Sequence, residues 1–413
     1  MMQDASRLDC DVLIVGGGLV GSLLANALSG LPLDVVLVEA RSVHTLSQPS
    51  FDGRATALAN GSQRVLEQLG LWDAIRPEAQ PIRHIHIGER GRFGAARISA
   101  KEEGVPALGF TVENRVLGTA LRDPLMGKSA FRCLSPAKVV EFSQAADATE
   151  ARIESVDGQV SVRARLTVAA DGARSALRDA LGISARIDDY GQQAVIVNCT
   201  TQEAHRSRAF ERFTPEGPLA VLPLTGDRVA IVWTLPTERA RWALALAENE
   251  FRVALQDAFG FRLGRFERIG RREAYALQRV RSDDVIRERA VLIGNAANAL
   301  HPVAGQGFNL AVRDAAALAE IIAGAASAGP ADAGRPELLD EYRRWRADDQ
   351  RKLAGFTHAL VRGFGAEVPG LNSLRSIGLM AFDLLPGGKS LLARHTMGLA
   401  GHVPRLARHL DLV

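Results

Sequence analysis

The stretch AVLIGNAANALHPVAGQGFNLAVRDAAALAEII sets glycine, asparagine, histidine, proline and more glycine in close succession. Its apolar opening, Val291-Leu292-Ile293, is short enough for a buried strand and breaks at Gly294 into small residues. From Asn309 the apolar positions Leu310, Ala311, Ala315, Leu318, Ile321 and Ile322 recur at helical spacing. The loop from Pro302 to Phe308 therefore delivers the chain to a helix N-terminus, whose free amide N–H groups favour an electron-rich partner. An ordinary strand-loop-helix connection has the same pattern, so the rest of the chain must decide.

Near the other end, Asp11 to Val15 reads as a strand and Gly16-Gly17-Gly18-Leu19-Val20-Gly21 as G-x-G-x-x-G. Ser22 to Leu28 reads as a helix, and DVVLVEA as a second strand ending at Glu39. Gly16 permits the tight turn, Gly18 lets backbone approach a pyrophosphate, and Gly21 lets helix and strand pack closely. Glu39 can accept hydrogen bonds from an adenosine ribose. Strand, helix, second strand and acid in this order point to a bound dinucleotide. The same run, VLIVGGGLVGSLLANAL, is too broken by glycine for a membrane anchor and lacks the basic leader of a signal peptide.

An NAD-dependent dehydrogenase would follow this motif with a catalytic domain. Instead, a second glycine-marked stretch, LTVAADGARSALR, runs from a strand at Leu166 to Ala170 into Asp171-Gly172, and the opening stretch is a third. Three motifs in this order resemble flavoprotein aromatic hydroxylases of the para-hydroxybenzoate hydroxylase type, nearly end to end. GNAA followed by LHPVAGQGFNL, together with RAFERFTPEGPLAVLPL and IVW, is similar to the ubiquinone-biosynthesis branch, and most to 2-polyprenyl-6-methoxyphenol hydroxylases.

That resemblance implies non-covalent FAD held by Gly16, Gly18, Gly21, Glu39, Arg54, Asp171, Gly172, Gly294, Asn295, Gly305, Gly307, Phe308 and Asn309. It implies catalytic positions at His301, Pro302, Gly305, Gln306 and Gly307, His301 being the candidate to act on a phenol proton. The third motif usually carries an aspartate where this chain has Asn295, which keeps an oxygen able to accept from a ribityl hydroxyl, adds an NH2 donor and removes a charge. Arg54, in FDGRATALANG, is expected at a helix start, where a cation needs an anionic partner such as the flavin pyrophosphate. The implied reaction is reduction of FAD by NADPH or NADH and transfer of one oxygen atom of O2 to an electron-rich phenol ring. With no second G-x-G-x-x-G, the nicotinamide binds transiently.

The elements that must position these residues follow from pattern. The fold class is α/β: a Rossmann-like FAD-binding domain built from separated segments (1–80, 100–182 and 276–370), interleaved with an antiparallel-sheet substrate domain (81–99 and 183–275) and followed by a C-terminal helical segment (371–413). AGAASAGPADAGRPE, 323–337, reads as a loop. His84 and His86 form an H-x-H that no nearby cysteine or acid completes, so solvent-facing residues of a strand explain them better than a metal.

Over 413 residues a net charge of only +3, with scattered basic residues, implies no nucleic-acid surface. Three distant cysteines fit a reducing cytoplasm and neither a disulfide framework nor a metal site. The implied partners are a prenylated phenol and O2, with a ubiquinone-biosynthesis protein complex or a homo-oligomer as further expectations. The enzyme would be cytoplasmic and peripheral at the inner face of the membrane. The C-terminal segment offers Leu374, Ile377, Leu379, Met380, Phe382, Leu384 and Leu385 beside Arg375, Lys389, Arg394, Arg405 and Arg408, which suits a membrane surface, a partner or the protein's own core. Two alternatives stand beside this reading: a hydroxylase of a small soluble aromatic acid, and an inactive flavin-binding assembly subunit.

Overall fold

The computed structural model describes residues 6–42, 54–92, 94–300, 305–327, 332–365 and 393–412, and of 352–365 the backbone alone. Its first sheet is built on parallel strands in the order Ala290–Leu292, Gly158–Ala169, Ser6–Val15, Val35–Val38 and Phe131–Leu134. Where they are covered on both faces these strands become continuous apolar runs: Val12, Leu13 and Ile14 are wholly buried, as are Val291 and Leu292. The helices Leu19–Leu28 and Gln306–Ser327 pack against each other, and the strands Ala137–Gln144 and Thr149–Ser155 extend the sheet antiparallel from Gly158–Ala169.

The second sheet has nine strands, with Ala185–Thr201 paired to Arg228–Pro236 and to Glu273–Ser282. Its far part joins Gly217–Pro223, Arg208–Thr214, His84–Glu89 and Ala95–Ser99. One pair is parallel, Arg208–Thr214 with His84–Glu89, so the sheet is mixed and not purely antiparallel. The helices Thr237–Ala245 and Glu248–Phe259 cover one face, where Phe210 meets Phe259 edge-on at 5.4 Å and Trp233 meets Phe251 at 6.1 Å. The strand Glu273–Ser282 runs across the expected division at 275/276, because its pairing with Ala185–Thr201 continues to Ser282. A three-stranded sheet of Ala55–Ala59, Gly109–Glu113 and Gln80–Ile82 lies between in sequence.

One other expectation changes and another narrows. The Gln306 helix runs on through Gly324 to Ser327, since alanine sustains helix where composition alone suggested a loop; the next helix starts at Pro336. The C-terminal residues 393–412 pack onto the protein itself: Ala393 and Met397 join Ile98, Ala100 and Leu108 in a buried cluster, and Leu406 enters the main core. The Met397 carbonyl accepts from the Gly61 N–H at 2.8 Å, and Glu320 accepts from the Arg405 N–H at 2.6 Å. This part caps the protein's own core, one of the three roles its composition suits, with Arg394 and Arg408 exposed on its outer side and Arg405 half-buried. The apolar residues Leu374 to Leu385 lie outside the described residues.

Candidate active site

Gly16 ends the first strand with φ +109°, a conformation L side chains rarely adopt, and a Cβ there would sit 2.5 Å from the Ala170 carbonyl oxygen. A Cβ on Gly21 would lie 1.9 Å from the Gly16 oxygen, so helix and turn can close only around glycine. The helix that follows has Gly18 at its N-cap, with no side-chain cap and no acid in its first turn. Its N-terminal amides and positive dipole end are thus left for an anion. Glu39 accepts from the Gly17 N–H at 2.7 Å and from the Arg41 N–H at 2.9 Å, which fixes the carboxylate at the rim and leaves lone pairs for ribose hydroxyls.

The second motif stands beside the first. Asp171 Oδ2 accepts from the Leu177 N–H at 3.2 Å, whereas its Oδ1 is buried with no hydrogen-bond partner among the described residues. Arg178, at the end of this motif, is a structural tie. Its guanidinium donates to the carbonyls of Ala173 at 3.1 Å and Ala296 at 3.4 Å, joining the second motif to the third.

In the third motif Gly294 has φ +58° and does not reach the cavity. Its N–H donates to Asp314 Oδ2 at 3.3 Å, and Asp314 is held by Arg346 at 2.8 Å with both side chains wholly buried. The adjoining turn exposes Asn295 to the cavity. Asp314 was missed in the sequence, although an acid four residues after Leu310 and four before Leu318, on an apolar stripe, is a legible anomaly.

The helix expected from Asn309 begins one turn earlier, at Gln306, so Gly307 and Phe308 lie in its first turn. Two side chains there act otherwise than expected. Asn309 is 3% exposed, donates to the carbonyls of Ala57 and Gly305, and accepts from the Ala59 N–H and the Ser62 hydroxyl, all at 2.8–2.9 Å. Its hydrogen-bonding capacity is used up, and it pins the loop instead of touching a cofactor with its side chain. Gln306 is buried and donates to the Thr396 carbonyl at 3.3 Å, which ties this turn to the C-terminal tail. Arg54 precedes a strand, with the nearest helix starting at Asn60, so the helix-dipole argument does not apply to it. Its guanidinium lies 4.6 Å over the Tyr275 ring. His301 and Pro302 lie outside the described residues.

A cavity of about 1580 Å³ brings these parts together. Gly16, Gly18, Glu39, Arg54, Asp171, Gly172, Asn295, Gly305, Gln306, Gly307, Phe308 and Asn309 line it, while Gly21 and Gly294 support it from behind. Its other wall is the uncovered face of the nine-stranded sheet, rich in Ile, Leu, Val and Ala. None of the three cysteines lines the cavity, and burial pushes the thiols of Cys10 and Cys199 up to about 12 and that of Cys133 to about 11, which disfavours the thiolate. His84 is exposed, but His86 is half-buried near the Phe210 ring, and burial together with Arg262 and Arg97 lowers its pKa to about 4. Among the described residues no three His, Cys, Asp or Glu side chains gather as a metal set.

The model of the FAD binding domain family matches residues 9–357. Ubiquinone hydroxylase UbiL of Rhodospirillum rubrum is 38% identical over 97% of this chain and 93% of its own. The 3-demethoxyubiquinol 3-hydroxylase of Escherichia coli is 30% identical over 94% of this chain and 98% of its own. Among solved structures, p-nitrophenol 4-monooxygenase PnpA of Pseudomonas putida shares the fold with a TM-score of 0.80, at 21% identity over 96% of this chain and 99% of that one. The chain belongs to the FAD binding domain family, in the branch that holds these ubiquinone hydroxylases.

Proposed function

We propose that this protein is an FAD-dependent monooxygenase that hydroxylates the ring of a polyprenylated methoxyphenol in ubiquinone biosynthesis, using NAD(P)H and O2. The observation that carries the reading is the large cavity, in which the dinucleotide motifs face an apolar sheet. The site fits FAD on three counts: an uncapped helix N-terminus beside Gly18, a turn that any Cβ at Gly16 or Gly21 would block, and a buried Asp171 oxygen without a partner among the described residues.

When bound, FAD supplies the redox chemistry and the activation of oxygen. The amides of the first helix would hold its pyrophosphate and Glu39 its adenosine ribose. Asn295, which lines the cavity, would accept from the ribityl chain as an uncharged partner. The N-terminal turn of the Gln306 helix, with Gly307 and Phe308, directs its positive end at the cavity and would stabilise negative charge on the flavin's pyrimidine side. The apolar wall excludes water and suits a hydrocarbon-bearing ring. No helix among the described residues is long and apolar enough to cross a membrane, so a prenyl tail would be reached from the membrane surface.

The test is substrate-dependent O2 uptake and NAD(P)H oxidation by the flavin-loaded protein. Prenylated methoxyphenols should be consumed with incorporation of one oxygen atom. Preference for para-hydroxybenzoate would refute the substrate class, and FAD binding without any phenol-dependent O2 uptake would refute the enzyme.

A further inference from the structure

The cavity face of the nine-stranded sheet can be read across its strands, because residues paired in register point to the same face. One such row is Ala96, Ile87, Glu211, Ala220, Val232 and Ile196, each paired to the next and all lining the cavity. Five of the six are aliphatic. Along its own strand Glu211 is flanked on the same side by Ala209 and Phe213, which also line the cavity. Neither these neighbours nor the rest of the row carries a charge. Among the described residues Glu211 is the only acid that this sheet gives to the cavity wall.

A carboxyl group in that setting is costly unless something pairs with it. Glu211 is half-buried and has neither a hydrogen bond nor an ion pair among the described residues. Burial alone pushes its pKa up to about 7. The sheet's other face shows the contrast, since there Val221 and Ile231 simply pack under helices. An acid on an otherwise uncharged, largely aliphatic wall, lining the substrate cavity, has no partner among the described residues to explain it.

We propose that Glu211 is the hydrogen-bond acceptor that recognises a free ring hydroxyl of the substrate and discriminates against the corresponding O-methyl ether. When ionised it can only accept, so it rewards a hydroxyl donor and leaves a methoxy oxygen unpaired against the carboxylate. The aliphatic neighbours hold the rest of the ring without preference for its rotation, so this one polar contact sets which ring edge is turned from the sheet. The inference rests on the proposed phenol reaction and names the residue that selects its substrate.

The test uses FAD-loaded full-length protein and two probes, 2-methoxyphenol and 1,2-dimethoxybenzene, with affinities measured by equilibrium dialysis. At about pH 8.5, where an acid of this pKa is ionised and accepts only, the wild type should prefer the phenol by about tenfold or more. Glu211→Leu should bind both equally, with flavin content unchanged. Should that variant fail to fold, Glu211→Gln decides: its amide can donate to the ether oxygen, so the preference should fall below about threefold. Equal affinities in the wild type, or the wild-type preference in either folded variant, would overturn the role of Glu211. Phenol-dependent O2 uptake tests the reaction independently, so intact turnover without discrimination would remove this inference alone.

Discussion

The ion pair behind the third motif makes a sharp test of how the site is held. Arg346 Nε donates to Asp314 at 2.8 Å and its Nη1 lies 2.7 Å from Asp349, while Asp314 also accepts from Gln350 at 3.2 Å and from the Gly294 N–H at 3.3 Å. Burial opposes the charge on Arg346, but Asp314 and Asp349 outweigh it and push its pKa above the ordinary arginine value. Arg346→Met keeps the bulk and removes the cation, leaving the fully buried Asp314 carboxylate with two neutral donors. Stranding one partner of a buried pair costs about 3–5 kcal/mol. At roughly 2–4 °C per kcal/mol for a cooperative unit of common size, melting followed by circular dichroism should fall by on the order of 10 °C. Because Asp314 holds Gly294, flavin should be released ahead of global unfolding, seen as a rise in free-flavin fluorescence at lower urea. The double variant Asp314→Leu/Arg346→Met should recover most of the loss, since no charge is then stranded. A loss below about 1 kcal/mol in the single variant would show that the pair carries no such burden.

Other outcomes follow from the same structure. Gly21→Ala places a Cβ against the Gly16 carbonyl and should abolish flavin retention on purification; a wild-type flavin content would remove the dinucleotide role of that turn. Asn295→Asp should keep flavin, whereas Asn295→Leu should weaken its binding by about fivefold to tenfold, a lost hydrogen bond being worth about 1 kcal/mol or more; equal dissociation constants in all three proteins would show that the residue misses the cofactor. Deleting 393–413 strips Met397 and Leu406 from their cores, at about 1.5–3 kcal/mol for each side chain, and should give a protein that aggregates or unfolds early; a soluble, flavin-loaded truncation with unchanged melting would contradict the packed tail.

What the sequence disclosed was local. The first motif is legible because turn, helix and acid are bound by short spacings, and Gly16, Gly18 and Glu39 do meet at one cavity with Asp171 and Asn295. Side-chain direction was less legible. Gln306 and Asn309 sit in the first turn of the helix beside the cavity, but their amides turn towards Thr396 and towards Ala57 and Ser62, partners remote in sequence. Arg54 is not at the expected helix start because the chain first forms the strand Ala55–Ala59, and the helix begins only at Asn60. The Asp314–Arg346 pair joins two helices across 32 positions, and no periodicity in either helix specifies that meeting. Glu211 left a faint trace, an acid in register with Ala209 and Phe213, whose meaning depends on which face of the sheet is left uncovered.

The parallel sheet carries a consequence for how the chain is made. Its strand Ala290–Leu292 docks on Gly158–Ala169, which by then has long since left the ribosome. Gly158–Ala164 on that edge is taken by the preceding strand Thr149–Ser155, but at about 5–20 residues per second the apolar end Thr167–Ala169 waits several seconds or longer for its neighbour. During that interval the nascent chain presents an unpaired, water-averse strand edge, the kind of surface that recruits chaperones or aggregates. Expression that slows synthesis between the two strands should therefore lower the yield of soluble protein without altering a single contact in the finished molecule.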